Sequence, residues 1–377
     1  MAQEMRQERQ FRKMREFTGY MRGMGLGGWL TNYKRIGQLP PERRMDVTIG
    51  DFEHFDNYIT EWDVKNFASF GIDHVRLAFD QIVLEDFNNP YHYRDETFQH
   101  ITDFLDWAKK YGLNVILNLH KAIGCYCDCG DMKKLLDVEE YQDRFVALWL
   151  EFERRYHDRG GEIVFELLNE LTDGTGERWN PLWQKVVREI RNVNPTRKIM
   201  IGSACWNSVD KLDALDVIDD PNVVYTFHFY APFEFTHQRG VLMPDNHYYN
   251  REMPYPGDIG RYRHYHEFIY GNKNAYAEYN EMGKEFIYNS LAPAKKFIAE
   301  HPDAIVTLGE FGTIRSCPVK WRENWCRDVI SFCDENEIPF TIWNYLSTPY
   351  DGNRFSLVDD DYRKPVSEEI FRMIRIK

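Results

Sequence analysis

The sequence predicts an α/β protein built on a single (β/α)₈ barrel, and two patterns along the chain support this. Eight short, continuously apolar segments occur, as is typical of strands buried on both faces of a parallel sheet. Segments with helical spacing separate them, and 377 residues exceed the roughly 250 that such a barrel needs. The eight candidate strands are 24–30, 74–79, 114–120, 163–170, 198–204, 223–230, 304–311 and 340–345.

The connecting segments show the period of amphipathic helices. In 96–112, apolar residues recur every three or four positions, and Gly112 supplies a stop signal. The same spacing recurs in 138–158 and 319–336. An open doubly wound sheet is the alternative, but the glycines of 24–30 lack the G-x-G-x-x-G spacing that usually follows its first strand. We therefore favour the closed barrel.

We expect residues 1–377 to form one catalytic barrel domain with two additions. The charged segment 1–20 is predicted to be an amino-terminal helix. Between the sixth strand and its helix, residues 231–274 form an insertion dense in aromatic side chains, with no clear helix up to about Tyr270. A long connection of this kind is usually functional, and its place after a strand puts it on the carboxyl-terminal face of the barrel.

Composition narrows the possible partners and location. The chain has 47 basic and 60 acidic residues, a net charge of −13, which argues against nucleic acid as a partner. No apolar run approaches the ~18 residues of a membrane span. Seven scattered cysteines and a charged amino terminus without an apolar core favour a reduced, cytoplasmic protein. The oligomeric state is not evident from the sequence.

Polar residues stand at the ends of the predicted strands, where barrel enzymes place their active sites. Because a charged group buried alone is very costly, groups at these ends must pair with one another or face a solvated cleft. We therefore expect a polar pocket. Its candidate residues are Arg76, His120, Asn169, Glu170, His228, Tyr230, Glu310 and Trp343.

Two of these residues suggest the chemistry. Glu170 and Glu310 end the fourth and seventh strands, which face each other across an eight-stranded ring. Glycoside hydrolysis requires two such carboxyl groups, one protonated and one ionised. A separation of about 5–5.5 Å gives retention of configuration, and one of about 6.5–9.5 Å gives inversion.

Asn169-Glu170 at strand four and Glu310 at strand seven resemble glycoside hydrolase family 5, the retaining β-glycosidases of clan A that include cellulases and mannanases. The resemblance implies that Glu170 is the acid/base and Glu310 the nucleophile. It also implies roles for the remaining residues: Arg76 supports the nucleophile, His120 lines the subsite on the non-reducing side, Asn169 binds the sugar 2-hydroxyl, His228 and Tyr230 orient the carboxylates, and Trp343 is a stacking floor.

Four further aromatic residues lie just past predicted strand ends and are candidates to stack on sugar rings. They are Trp29, Phe79, Trp179 and Trp206. Packing in the core is the equal alternative for each of them, as it is for the aromatic residues of the insertion.

We expect neither a metal nor a cofactor. Cys125, Cys127 and Cys129 follow a C-x-C-x-C pattern that differs from the usual zinc spacing, and no second pair follows. His264 and His266 form an H-x-H, but it lies in the late insertion. A metal-dependent hydrolase is therefore a lesser alternative.

The sequence thus predicts a retaining β-glycosidase that acts on neutral oligosaccharides. We expect an exo-acting enzyme of the β-mannosidase or β-glucosidase type, with β-1,4-linked mannose or glucose units as substrate and a cleft narrowed by 231–274. An endo-β-1,4-glucanase or endo-β-mannanase with an open cleft is the alternative. A non-catalytic sugar-binding barrel is a further rival, but it would lack one of the two carboxylates that this chain retains.

Overall fold

The computed structural model describes residues 17–31, 52–125, 134–348, 351 and 353–376. The strands are β1 (Arg22–Leu30), β2 (His74–Asp80), β3 (Asn114–Lys121), β4 (Ile163–Glu166), β5 (Lys198–Gly202), β6 (Val223–Phe229), β7 (Gly257–Asp258), β8 (Glu281–Met282), β9 (Ile305–Phe311) and β10 (Phe340–Ile342).

The helices begin with α1 (Phe52–Asn57), α2 (Glu61–Ser69), α3 (Gln81–Leu84), α4 (Asp95–Lys110), α5 (Lys134–Asp137), α6 (Glu139–Tyr156), α7 (Trp179–Val193) and the single turn α8 (Ala204–Asn207). They continue with α9 (Phe233–Thr236), α10 (Pro244–Tyr249), α11 (Ile259–Tyr270), α12 (Lys284–Glu300), α13 (Val319–Glu335) and α14 (Glu368–Ile374), and a 3₁₀ turn spans Val209–Ala214. None of the described helices is both long and apolar enough to cross a membrane.

Eight strands form a closed parallel barrel, which confirms the predicted fold class. Their order around the ring is β1-β2-β3-β4-β5-β6-β9-β10, and β10 pairs with β1 to close it. The short strands β7 and β8 pair antiparallel in a separate two-stranded sheet. Because every barrel strand is parallel, all eight carboxyl ends meet at one rim, where the predicted polar residues lie.

The barrel interior changes from apolar to polar along the strands. Side chains two residues apart on a strand point to the same face, so alternate residues of each strand line the barrel interior. Ile116 and Val164 belong to an apolar cluster that Phe17 and Tyr20 also join. Two residues further along β4, this face carries the buried Glu166. The apolar layer therefore supports a polar layer at the rim.

The insertion contains helices that the sequence analysis did not predict. Helix α11 begins where the Asp258 carboxylate accepts a hydrogen bond from the Gly260 amide, and it ends at Gly271, whose φ is 68°. Its residues Ile259, Tyr262 and Tyr265 are buried at three-residue spacing. The expectation of no helix before Tyr270 was wrong, because these aromatic residues form a buried helical stripe.

Three expectations concern the organisation of the chain. Residues 1–16 of the predicted amino-terminal helix lie outside the described residues, and Thr18 and Gly19 form a turn. The division of the chain into one catalytic domain stays a prediction. In the structure the 231–274 segment lies between β6 and α12.

Candidate active site

Arg76 lies at the centre of the polar layer, fully buried on β2. Its Nε and Nη2 donate to the two carboxylate oxygens of Glu166 at 2.6 and 2.7 Å. Its Nη1 donates to Glu310 Oε1, and its Nη2 also reaches Asn169 Oδ1 at 2.9 Å. The guanidinium therefore holds Glu310 and Asn169 in fixed positions, and Glu166 fixes the guanidinium itself.

Glu166 is a site residue that was not predicted from the sequence. It ends β4 inside the apolar run 163–168, so it did not stand at an apparent strand end. The signal available was its charge, because a carboxylate within a buried strand must have a cationic partner.

Glu310 is buried at the end of β9, and its surroundings favour the charged form. Tyr230 Oη donates to Glu310 Oε2 at 2.8 Å, and His228 Nδ1 lies 3.7 Å from the same oxygen. Burial by itself raises the pKa of this carboxyl, but His228, Arg76 and the hydrogen bond from Tyr230 outweigh it, so the pKa is lowered. Glu310 is therefore an ionised carboxylate.

Glu170 lies across the pocket in a more open position. Its backbone has a φ of 48°, and its side chain is 23% exposed. His228 Nδ1 lies 2.9 Å from Glu170 Oε1. One oxygen from Glu170, one from Glu310 and a ring nitrogen of His228 all lie within 4.8 Å of one another. So close an approach agrees with the carboxyl separation of about 5–5.5 Å in retaining glycosidases better than with the roughly 6.5–9.5 Å of an inverting pair.

Asn207 contacts the far side of His228 and was also missed by the sequence analysis. Its Nδ2 lies 3.2 Å from His228 Nε2, so an amide donor there leaves the ring proton on Nδ1, which faces Glu170. Asn207 reaches this place because it follows Cys205 and Trp206 in a run of three residues with φ between 53° and 56°. No periodic pattern in the sequence signals such a turn.

Trp343 directly follows β10, and its ring forms a flat surface beside β1. Its ring is parallel to that of His120, with centroids 5.6 Å apart and planes 5° apart. A Cβ atom on Gly25 or Gly27 would lie 2.5 Å from the Trp343 ring, so glycine is required at both positions of β1. Burial, followed by the charges of Lys121 and Arg76, lowers the pKa of His120 well below its usual value, which keeps this ring neutral.

Three of the four candidate stacking aromatics lie in the core. Trp29, Phe79 and Trp179 are at most 1% exposed. Trp29 donates to Phe55 O, Phe79 packs against the rings of α6, and Trp179 donates to Gly202 O. The expectation that these three residues stack on sugar rings was wrong, and the core alternative holds. Each side chain points into the layer between barrel and helices. Trp206 differs, since it is 48% exposed.

The possible metal ligands are arranged as follows. Cys125 is buried, whereas Cys127 and Cys129 lie outside the described residues. His264 contacts Tyr249 Oη at 2.8 Å and His266 contacts Glu234, so the two histidines have different partners. Among the described residues, a cluster with metal-ligand geometry is formed by Glu170, His228 and Glu310, the pocket residues themselves.

A parallel barrel whose rim carries two glutamates this close together defines a glycoside hydrolase. The family model of the cellulases, glycosyl hydrolase family 5, matches residues 44–348. The chain belongs to this family, as its sequence resemblance implied.

Known relatives agree with this assignment. Endoglucanase C of Acetivibrio thermocellus is 35% identical over 356 residues, which cover 93% of this chain and 97% of the relative. Cellodextrinase A of Ruminococcus flavefaciens is 36% identical over 231 residues, covering 60% of this chain and 63% of the relative. The crystal structure of endoglucanase Cel5A from Thermotoga maritima superposes with a TM-score of 0.73 at 22% identity, covering 94% of this chain and 97% of that one, and shows the shared fold.

Proposed function

We propose that this enzyme is an endo-acting β-1,4-glucanase that cleaves glucan chains with retention of configuration. The observation that carries the reaction class is the close approach of Glu170 and Glu310. The endo mode is supported by the similarity to Endoglucanase C along nearly its whole length. The comparisons do not support the expected exo-acting mannosidase type, and the endo-glucanase alternative fits them better.

The two glutamates divide the chemistry between them. Glu310, ionised and fixed from two sides, attacks the anomeric carbon, and the bond to the leaving oxygen breaks. Glu170 donates its proton to that oxygen. Water then enters, Glu170 removes a proton from it, and the resulting oxygen nucleophile displaces Glu310 from the anomeric carbon.

The neighbouring side chains keep the glutamates in these roles. Arg76 and Tyr230 stabilise the charge on Glu310 before attack and after its release. His228 bonds to Glu170 and places its carboxyl beside the leaving oxygen. Asn169, held by Arg76, is the residue that we assign to the sugar 2-hydroxyl.

Two aromatic surfaces bind the sugar rings on either side of the scissile bond. The parallel rings of Trp343 and His120 form the wall of the glycone side. Trp206 is exposed, and its amide donates to Leu171 O, directly after Glu170, at 2.8 Å. We therefore assign Trp206 to the leaving-group side.

A cytoplasmic location also stays a proposal. It is supported by four cysteines in the described part of the chain that are free thiols (Cys205, Cys317, Cys326 and Cys333).

The test compares the wild type with Glu310→Gln and Glu170→Gln on soluble β-1,4-glucan, cello-oligosaccharides and manno-oligosaccharides. We expect a rapid fall in glucan viscosity relative to the release of reducing ends, products that first appear as the β-anomer, and a loss of at least about 10³-fold in kcat for Glu310→Gln. Release of single sugars from one chain end, or an α-anomeric first product, would contradict the proposal.

A further inference from the structure

We propose that a pocket in the insertion binds the distal glucose units of the same glucan chain that occupies the cleft. This pocket, called here the insertion pocket, is lined by Phe233, Glu234, Asp245, Tyr265, Tyr270 and Tyr276, among others. This proposal rests on the proposed function, because the pocket extends the binding of the glucan beyond the residues around Glu170 and Glu310.

The insertion pocket is a cavity of about 260 Å³ between α9, α10 and α11. Its frame is fixed by Asn246, whose Nδ2 donates to Phe233 O at 2.8 Å and whose Oδ1 accepts from Tyr265 Oη at 2.6 Å. A concave site of this size that is held by internal hydrogen bonds is preorganised, so binding does not require the segment to become ordered.

The pocket combines aromatic rings with carboxylate acceptors. Phe233 and Tyr270 are 46% and 57% exposed, so their rings are accessible to a ligand. Their rings match the C–H groups on the face of a pyranose. Exposed rings on a rigid frame are therefore suited to a neutral sugar.

Acceptors for sugar hydroxyls lie beside the rings. Glu234 is 5% exposed, and its Oε1 receives both Tyr276 Oη, at 2.8 Å, and His266 Nε2. Tyr270 Oη donates to Asp245 Oδ2 at 2.8 Å. Each carboxylate thus has a second oxygen to which no described residue donates a hydrogen bond. Since Glu234 is already paired with His266, the site suits hydroxyl groups better than an added cation.

The insertion pocket lies beside the cleft, because Ala231 and Pro232, which line it, directly follow Tyr230. Phe233 follows Tyr230 by three residues, and Tyr230 donates directly to Glu310. The Phe233 ring contacts the His237 ring at 5.5 Å between centroids, and His237 contacts Tyr230 at 5.3 Å. Two ring contacts therefore link Phe233 to Tyr230, which places the pocket close to the reacting groups. This proximity identifies the occupant as the chain being cleaved.

The test measures how the effect of pocket variants depends on substrate length. For each variant, the ratio of kcat/KM for cellohexaose to kcat/KM for p-nitrophenyl β-cellobioside is compared with that of the wild type. Phe233→Ala and Tyr270→Ala are expected to lower this ratio on the order of threefold to tenfold, because only the longer substrate reaches the pocket. Both residues are partly exposed, so thermal unfolding midpoints should change little.

Phe268→Ala is the matched control, because Phe268 lies on α11 with Tyr270, is 54% exposed and does not line the pocket. Its ratio should equal that of the wild type. An unchanged ratio in both pocket variants, or an equal loss on both substrates, would overturn the inference. The inference would also be overturned if the variants kept the wild-type ratio and lost only their retardation during electrophoresis in a gel that contains glucan. That result would indicate a site for a separate glucan chain. Failure of the wild type to cleave β-1,4-glucan would instead overturn the proposed function.

Discussion

The charge of Glu310 depends on its immediate neighbours. The carboxylate is buried, which opposes ionisation, yet His228, Arg76 and Tyr230 lower its pKa overall. In the proposed mechanism ionised Glu310 is the attacking group, so activity should persist above its pKa and be lost as the pH falls through it. The acidic limb of kcat/KM therefore reports on this hydrogen-bonding arrangement.

Removing the Tyr230 hydroxyl should move that limb. In Tyr230→Phe, Glu310 loses a donor at 2.8 Å, its pKa rises, and the acidic limb shifts to higher pH by up to about one unit. The measurement is kcat/KM against pH. Tyr288→Phe is the control, since Tyr288 also donates to a glutamate, Glu335, at 2.8 Å but lies outside the site. Equal profiles for the two variants would contradict this account.

Asn207 is expected to act through His228. Replacement by glycine removes the amide and keeps the backbone relaxed, because glycine tolerates the φ of 53°. Without the bond to Nε2, the His228 ring loses its preferred tautomer, and kcat should fall roughly tenfold with an altered pH profile.

Asn250→Gly provides the matched comparison for Asn207→Gly. Asn250 is an exposed asparagine with a φ of 48°, so its replacement makes the same backbone change away from the cleft. It should leave kcat and the pH profile as in the wild type. The assignment of Asn207 as a positioning residue would be refuted by a normal pH profile in Asn207→Gly.

Chelation tests whether the glutamates act alone. Arg76 and Tyr230 already donate to the two oxygens of Glu310, so a divalent ion would have to displace these donors. We expect activity on cello-oligosaccharides to be unchanged after dialysis against EDTA. A loss that zinc or another divalent ion restores would favour a metal-dependent hydrolase.

Strand β1 and Trp343, the residue after β10, pack against each other. Trp343 occupies the space that glycine leaves on β1, so the stacking surface depends on both elements. In Gly25→Ala, the new methyl group would lie 2.5 Å from Trp343 Cε3. Overpacking of this kind costs about 1–3 kcal/mol.

We therefore expect Gly25→Ala to lower the free energy of unfolding by that amount and to raise KM by displacing the Trp343 ring. Urea unfolding and kinetics on cello-oligosaccharides measure the two effects. Gly161→Ala is the control, because a Cβ there meets no atom within 4 Å. Wild-type stability and KM in Gly25→Ala would show that the ring does not depend on β1.

Elements with regular periods were predictable from the sequence, and irregular ones were not. Arg76 and Glu310 could be predicted to lie near each other, because the carboxyl ends of parallel barrel strands share one rim. Trp29 and Trp179 were assigned to the surface of the pocket as one of two readings, but position past a strand end does not say which way a side chain points. Asn207 depends on three consecutive left-handed residues, and no local pattern encodes them.

Helix α11 in the insertion was not predicted, for a different reason. Helix α11 has a capping aspartate, a terminal glycine and apolar residues at helical spacing, so the signals were present. The density of tyrosines suggested a binding loop instead of a helix. Aromatic side chains serve both purposes, and only packing against α9 and α10 separates those that are buried from Phe268 and Tyr270, which are exposed.

The whole molecule brings together carboxylates that are far apart in the chain. Glu170 and Glu310 are 140 positions apart by number, yet the closed ring places their oxygens within 4.8 Å. The apolar layer beneath them excludes water from one side, and the rim opens the other to substrate. The barrel thus supplies the rigid distance on which retention of configuration depends.

The central claim is that Glu310 forms the covalent bond to the sugar. The most direct measurement is the mass of the intact protein and of its peptides after reaction with a 2-deoxy-2-fluoro-β-cellobioside that carries a good leaving group. We predict one added fluorocellobiosyl unit per chain, attached to Glu310 and absent in Glu310→Gln. A label on another residue, or turnover with no adduct and an inverted product, would contradict this account.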